Sequence, residues 1–498
     1  MFERNLGPVV LQVEHRAPGS EGGPTLRVRR AGDGYELLRF DCFARGAHWH
    51  LDPGGRDVLS ELAPAGDALE WTLAELRRDL AGYLARAGGP ALAAAPGELE
   101  SVLAEAERAL RHPPYDFDAV DPAQRRTSRG EKWTQYAPDV LPLWVADMDF
   151  AVAEPIRRVV QHAVDTSDFV YPVHPAPTDL PEIFAARARA RFGWEVEPRQ
   201  VEILTDVMQG VYVGLQQLSE AGDGVVVQTP IYAPFLRAVK ETGRRLAENP
   251  LAHGPGGHEL DLAGFRRAAQ GARLLLLCHP HNPSGRMFRR DELEAMAEGV
   301  LANDLGVVSD EIHGDLVHGE ERFVPFASLS PEIAARTLTL CSASKAFNIA
   351  GLRCAVAVFG SDELRRRFLA VPRHARGGIN ILGIEATRAA WLHGQPWLDA
   401  ARAYLGANRA LVARAVAETL PGVGHHPPEA TYLAWLDCRA LGLEPSPFRF
   451  FLERAKVALS DGASFGTPGA GFVRLNFATS RSIVTEALQR MAKALAER

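Results

Sequence analysis

The sequence predicts an α/β fold: a mostly parallel sheet with helices on both faces, a smaller α+β lobe at the C-terminus and an extra N-terminal α+β domain. Six short segments are almost continuously apolar: VEILTD (201–206), VVVQ (225–228), RLLLLC (273–278), GVVS (306–309), TLTLC (337–341) and AVAVF (355–359). Strands buried on both faces have that texture. The stretches between them, such as RRDELEAMAEGVLAND, have the length and period of amphipathic helices. After about residue 395 the alternation gives way to a long helix over 398–419, YLAWLDC (432–438) and a helix near 446–456. FVRLNFA (472–478) and a terminal helix complete the smaller lobe.

The N-terminal stretch differs in texture. TLRVRR and YELLRFDCF flank an AGDG turn and predict a β-hairpin. Leu73, Leu76, Leu80 and Leu84 stripe one side of a helix from Trp71 to Arg86, and a second helix spans about Glu98 to Arg111. His112-Pro113-Pro114 breaks that helix, so a domain of residues 1–112 is expected ahead of a region of residues 113–498. Within the first domain, His48 and His50 would face the same side of a strand, with Asp41, Cys42 and Asp52 nearby. HxH can grip one metal ion, but packed imidazoles on a β-edge account for the pair equally simply, and no metal is expected.

The chain has 498 residues, a formal charge of −7, 46% apolar and 23% charged residues. These values exclude wholesale disorder and give no basic surface for nucleic acid. No apolar run approaches the ~18 residues of a membrane span, and the first residues lack a signal-peptide core. Five dispersed cysteines without a CxxC pair suit a reducing compartment, so a cytoplasmic protein is expected.

Chemistry-bearing residues follow successive strands. Lys345, in SASKAFNIAGLR (342–353), sits among small residues after a buried strand; desolvation there would lower its pKa and make it a nucleophilic amine, although most lysines are solvated surface charges. Ser342 and Arg353 could converge on one phosphate. Asp310, in SDEIHGD (309–315), ends a strand and either faces the ligand crevice or caps a helix. Asn282, in PHNPSGR (280–286), offers an amide or simply a turn. In TDVMQGVYVG, the Val207 and Met208 N–H groups open a helix and suit an anion. Tyr232, in QTPIYAPF, is either a stacking ring or a core aromatic.

Taken in order, these motifs resemble the fold-type I pyridoxal-phosphate enzymes of the class I/II aminotransferase family. LPLWVADMDF (141–150), EATYLAWLD (429–437) and VALSDGASFG…GFVRLNFA (457–478) narrow the resemblance to its cystathionine β-lyase, or carbon–sulfur lyase, branch, over about residues 113–498. The resemblance implies a seven-stranded cofactor domain over about 150–395 and a small domain from 113–149 plus 396–498. It implies that Lys345 carries pyridoxal 5'-phosphate covalently and then moves the substrate Cα proton. Asp310 would pair with the ring nitrogen, Asn282 and His313 would flank the 3′-oxygen, and Tyr232 would stack on the ring and assist the leaving group. Val207, Met208, Ser342 and Arg353 would hold the phosphate. Tyr171 would reach the phosphate of a partner subunit in a homodimer. Arg474 would clamp the substrate carboxylate, with Trp144 and Val145 lining the substrate side. Two departures stand out: Asp206-Val207-Met208-Gln209 replaces the usual Gly-Val-Val-Pro, and the loop RHARGGIN (373–380) is idiosyncratic. Asp206 would be unfavourable beside a phosphate unless it points away.

The expected reaction is β-elimination from cystathionine or another S-substituted cysteine, giving thiol, pyruvate and ammonia. The same residues also serve an aminotransferase, which needs a 2-oxo acid acceptor. A third possibility makes the chain a regulator or complex component through its N-terminal domain. No nucleic acid or membrane partner is expected.

Overall fold

A computed structural model describes residues 2–16, 23–42, 47–61, 68–111, 115–171, 178–254 and 257–498. The chain divides into two compact units, Met1–Asp116 and Phe117–Arg498.

In the first unit, β1 (Phe2–Leu6), β2 (Val9–Arg16), β3 (Gly23–Arg30), β4 (Glu36–Asp41), β5 (His48–Leu51) and β6 (Val58–Glu61) form an antiparallel sheet in chain order. Helices α1 (Ala68–Arg86) and α2 (Pro96–Arg111) share a core with Leu11, Leu26, Val28, Leu38 and Phe40, and the predicted leucine stripe of α1 is buried there. The sequence reading found the β3–β4 hairpin and took His48 and His50 for an edge strand; in the others, as in VVLQVEHR, polar residues interrupt any continuous apolar run. His48 and His50 also lie on β5, an interior strand between β4 and β6, and not on an edge.

In the second unit, seven strands run in the order Arg245–Glu248, Gly224–Val227, Ala272–Cys278, Gly306–Asp310, Thr337–Cys341, Ala355–Phe359, Val201–Leu204. Ala355–Phe359 is antiparallel to both neighbours, and all other pairings are parallel. Successive residues alternate between two cores: Val225, Val227, Leu274 and Leu276 pack on one face, and Val226, Leu275 and Leu277 on the other. Both faces are therefore covered, as the apolar runs require. Arg245–Glu248 escaped the sequence reading because RLAE is a partly exposed edge strand.

The C-terminal lobe is an antiparallel sheet in the order Gly424–His425, Leu433–Asp437, Phe472–Asn476, Ser460–Asp461. Gln395–Thr419 and Arg481–Ala496 pack beside one another as its long helices. The helix expected near 446–456 starts as Pro447–Phe450 and widens to a π-turn over Phe451–Ala455. Leu141–Pro142 pairs with Val457–Ala458, which ties the following residues 143–150 to this lobe.

Candidate active site

Three neighbouring parallel strands, Ala272–Cys278, Gly306–Asp310 and Thr337–Cys341, end at the same edge of the sheet. The side chains that follow them gather there. Asp310 is buried, and its Oδ1 accepts the Ile312 N–H at 3.1 Å. Burial pushes its pKa up to about 7, with that N–H and Lys345 offsetting only part of the cost. Lys345 Nζ donates to the Ala146 carbonyl at 2.8 Å and stands 3.6 Å from Asp147 Oδ1. Burial lowers its pKa, opposed by Asp147 and reinforced by Arg474. In each case burial disfavours the charged form.

Arg474 rises from the lobe strand Phe472–Asn476 and is buried. Its Nη1 donates to Asn282 Oδ1 at 2.8 Å, and Nη2 donates to the Trp144 carbonyl at 2.9 Å and to Ser460 Oγ at 3.1 Å. Nε has no partner among the described residues, and the guanidinium lies 4.9 Å from the Phe465 ring centre. Burial lowers the pKa of Arg474 to about 10. A buried cation surrounded by neutral acceptors is costly unless an anion completes it.

His313 is buried with Nδ1 unpartnered among the described residues, and burial holds its pKa down to about 3. It faces Tyr432 with ring centres 6.2 Å apart. Burial and the nearby Asp310 raise the Tyr232 pKa, so its phenol stays protonated. Tyr232 packs edge-on to Phe235.

A second cluster lies where Val207–Leu218 begins. Asp206 caps this helix by accepting the Gln209 N–H at 2.8 Å, and its other oxygen pairs with Arg353. Ser342 Oγ donates to the carbonyl of Cys354, next to Arg353, at 2.6 Å. Asp206 thus does not point away from the cradle, as the sequence reading required; it engages the arginine. That pairing uses one of the five guanidinium donors, and the first-turn N–H groups of Val207 and Met208 have no intrahelical acceptor.

Segment 144–147 contributes mainly through its backbone. Asn476 Nδ2 donates to the Val145 and Asp147 carbonyls, and Tyr432 Oη donates to the Ala146 carbonyl at 2.7 Å, the same oxygen that receives Lys345. Asn348, at φ +57°, accepts from Met148 N–H and donates to the Phe150 carbonyl, fastening this segment to the lysine loop. Asn348, Asp147, Tyr432, Ser460 and Asn476 were all missed as site residues, although each lies in a stretch already singled out in the sequence. Tyr171 is wholly solvent-exposed and makes no contribution to this site within one chain; residues 172–177, which follow it, lie outside the described residues.

These residues fit pyridoxal 5'-phosphate. An arginine with spare donors beside a helix start suits the phosphate, a buried carboxyl at about 7 suits a pyridinium nitrogen, and an unpartnered buried imidazole faces the space between. A test needs no turnover. Because folding raises the Asp310 pKa, the unfolded chain loses that proton first, so the group's contribution to stability falls as pH rises from about 4 to 7. Asp310→Asn should therefore gain stability over the parent, in thermal melts of cofactor-free protein, between pH 4 and pH 8. A pH-independent difference contradicts this.

Residues 138–491 match the family model for aminotransferase class I and II, and residues 5–109 match a domain of unknown function, DUF7700. Cystathionine beta-lyase PatB of Bacillus subtilis is 36% identical over 361 residues, covering 72% of this chain and 93% of its own. Cystathionine beta-lyase of Corynebacterium glutamicum is 35% identical over 374 residues, covering 74% and 98%. The crystal structure of the PLP-bound C-S lyase from Staphylococcus hominis superposes with a TM-score of 0.72 at 28% identity, covering 77% of this chain and 100% of that one.

Proposed function

Because the chain belongs to the aminotransferase class I and II family, we propose that it is a pyridoxal-phosphate-dependent carbon–sulfur β-lyase. It takes cystathionine or another S-substituted cysteine, with one water, to a thiol, pyruvate and ammonia. The observation that carries this reading is the convergence of Lys345 Nζ, the buried Asp310 carboxyl and the Arg474 guanidinium, which has no carboxylate partner among the described residues. The choice of elimination is supported by the lyase relatives.

When bound, the cofactor supplies a sink for the electron pair left at the substrate Cα. Val207 and Met208 N–H, Ser342 and Arg353 hold its phosphate, Asp310 its ring nitrogen, and Asn282 and His313 flank its 3′-oxygen. Tyr232 stacks on its ring. Arg474 takes the substrate carboxylate in a bidentate grip, its natural geometry. Lys345 Nζ, its pKa lowered by burial, accepts the Cα proton. Tyr232, held protonated, delivers a proton to the departing sulfur. Trp144 and Val145 line the substrate side. Catalysis is assigned to residues 113–498.

The discriminating assay supplies L-cystathionine or an S-alkylcysteine with no 2-oxo acid. Equimolar pyruvate and thiol are expected; turnover that appears only after an acceptor is added would make the chain an aminotransferase instead.

We further infer a homodimer in which Tyr171 serves the partner's phosphate site. Support comes from the adjacent exposed Phe169, Val170 and Tyr171, an apolar run unusual on a free surface. A cytoplasmic location is consistent with Cys278, Cys341, Cys354 and Cys438 standing as thiols.

A further inference from the structure

We propose that the N-terminal unit holds a zinc-class metal ion on Asp41, His48 and His50. The site is built by sheet register. Asp41 pairs with His48 and Arg39 with His50 across β4 and β5, so these side chains share one face of the sheet. Phe40 and Trp49 take the other face, where they stack within the core. Cys42 also turns to that side, its Sγ 3.3 Å from Thr72 Oγ1, and is not a ligand.

The donor atoms converge. His48 Nε2 and His50 Nε2 stand 3.3 and 3.6 Å from the same oxygen, Asp41 Oδ2, and one ligand atom from each of the three residues lies within 4.8 Å of the others. Zinc-class ions hold imidazole nitrogen and carboxylate oxygen at about 2.0–2.1 Å, which sets tetrahedral edges of about 3.3–3.4 Å. The 3.3 Å edge matches that spacing and the 3.6 Å edge is slightly longer, whereas an octahedral site would bring neighbours to about 3.0 Å. Two imidazoles and a carboxylate suit zinc, cobalt or nickel better than calcium or magnesium, which prefer all-oxygen shells.

Supporting hydrogen bonds orient two of the ligands. His50 Nδ1 lies 2.6 Å from Asp57 Oδ1, and its Nε2 lies 2.6 Å from Arg39 Nη2, a group that only donates. This network assigns the proton to Nδ1 and leaves the Nε2 lone pair directed into the cluster. A carboxylate behind a ligating histidine is the usual outer-shell arrangement. Asp41 is fully buried, and its second oxygen accepts the Thr25 hydroxyl at 2.7 Å.

Arg39 is the competitor. Its Nε is 3.0 Å from Asp41 Oδ2, and its Nη2 occupies the His50 lone pair. Metal entry requires that guanidinium to swing aside, and Glu36, already 3.4 Å away, can receive it. Arg39 therefore weakens the site without being part of it.

The test uses the full chain, loaded with cofactor, stripped with EDTA and titrated with Co2+ as a coloured stand-in for Zn2+. We expect one saturable equivalent with tetrahedral ligand-field bands at longer wavelength than the cofactor absorbs, displaced by one equivalent of Zn2+. His48→Ala and His50→Ala should abolish it. Asp57→Asn should weaken it about 10–100-fold, and this half-exposed position keeps the test informative if a histidine variant fails to fold. Arg39→Gln should bind more tightly than the parent. No saturable site in either the parent or Arg39→Gln would overturn the proposal and make Arg39 the permanent counter-ion of Asp41. Equal affinity in the parent, His50→Ala and Asp57→Asn would overturn it as well.

Discussion

Lys345→Ala should lower pyruvate release from an S-substituted cysteine by about 10⁴-fold, the upper range for removing a positioned proton-transfer group. Its Nζ is the only part of the side chain within hydrogen-bond reach of the Ala146 carbonyl, and the depressed pKa comes from burial that alanine cannot use. Lys345→Arg should be no better, since guanidinium stays protonated and offers no lone pair. Circular dichroism and melting of the variant should remain near the parent, because the lost side chain supports a carbonyl that Tyr432 also satisfies. A variant retaining a tenth of parental turnover would remove Lys345 from the chemistry.

Arg474→Ala should reduce kcat/KM by about 10²–10³-fold, equivalent to about 3–4 kcal/mol. The guanidinium is buried and held by Asn282, the Trp144 carbonyl and Ser460, all neutral acceptors, so its charge remains available to a substrate carboxylate. Arg474→Lys should recover little, because an ammonium cannot form two parallel hydrogen bonds. Cysteine analogues lacking the carboxylate should be poor substrates for the parent and lose little further in Arg474→Ala. If the variant weakens both classes equally, Arg474 acts by supporting Asn282 and Trp144 and not by binding substrate.

The fold was legible where residues are buried on both sides. The apolar runs at 273–278, 306–309, 337–341 and 355–359 each became a strand of the large sheet, because a strand covered by helices on both faces is built mainly from apolar residues. β1, β2 and β6 were not legible, since asparagine, glutamate, histidine and arginine interrupt any apolar run in them, and β5 was read only as an edge. The site divides similarly. Lys345, Asp310 and Asn282 follow apolar strands and could be placed at strand ends from sequence. The carbonyls of Trp144, Val145, Ala146 and Asp147 could not, because every residue has a carbonyl and their partners lie about two to three hundred positions away at Lys345, Tyr432, Arg474 and Asn476. Asp206 was noticed, but its direction depends on Arg353, whose positive φ of 49° aims the side chain in a way no spacing rule predicts.

The central claim is that one amine carries the cofactor. Borohydride reduction of the cofactor-loaded protein, followed by proteolysis and mass spectrometry, tests it directly. The account predicts a single pyridoxyl-phosphate adduct, on the peptide containing Lys345, and its loss when substrate is added before the reductant. An adduct on another lysine, such as Lys132 or Lys240, or no adduct on protein that binds the cofactor, would contradict it.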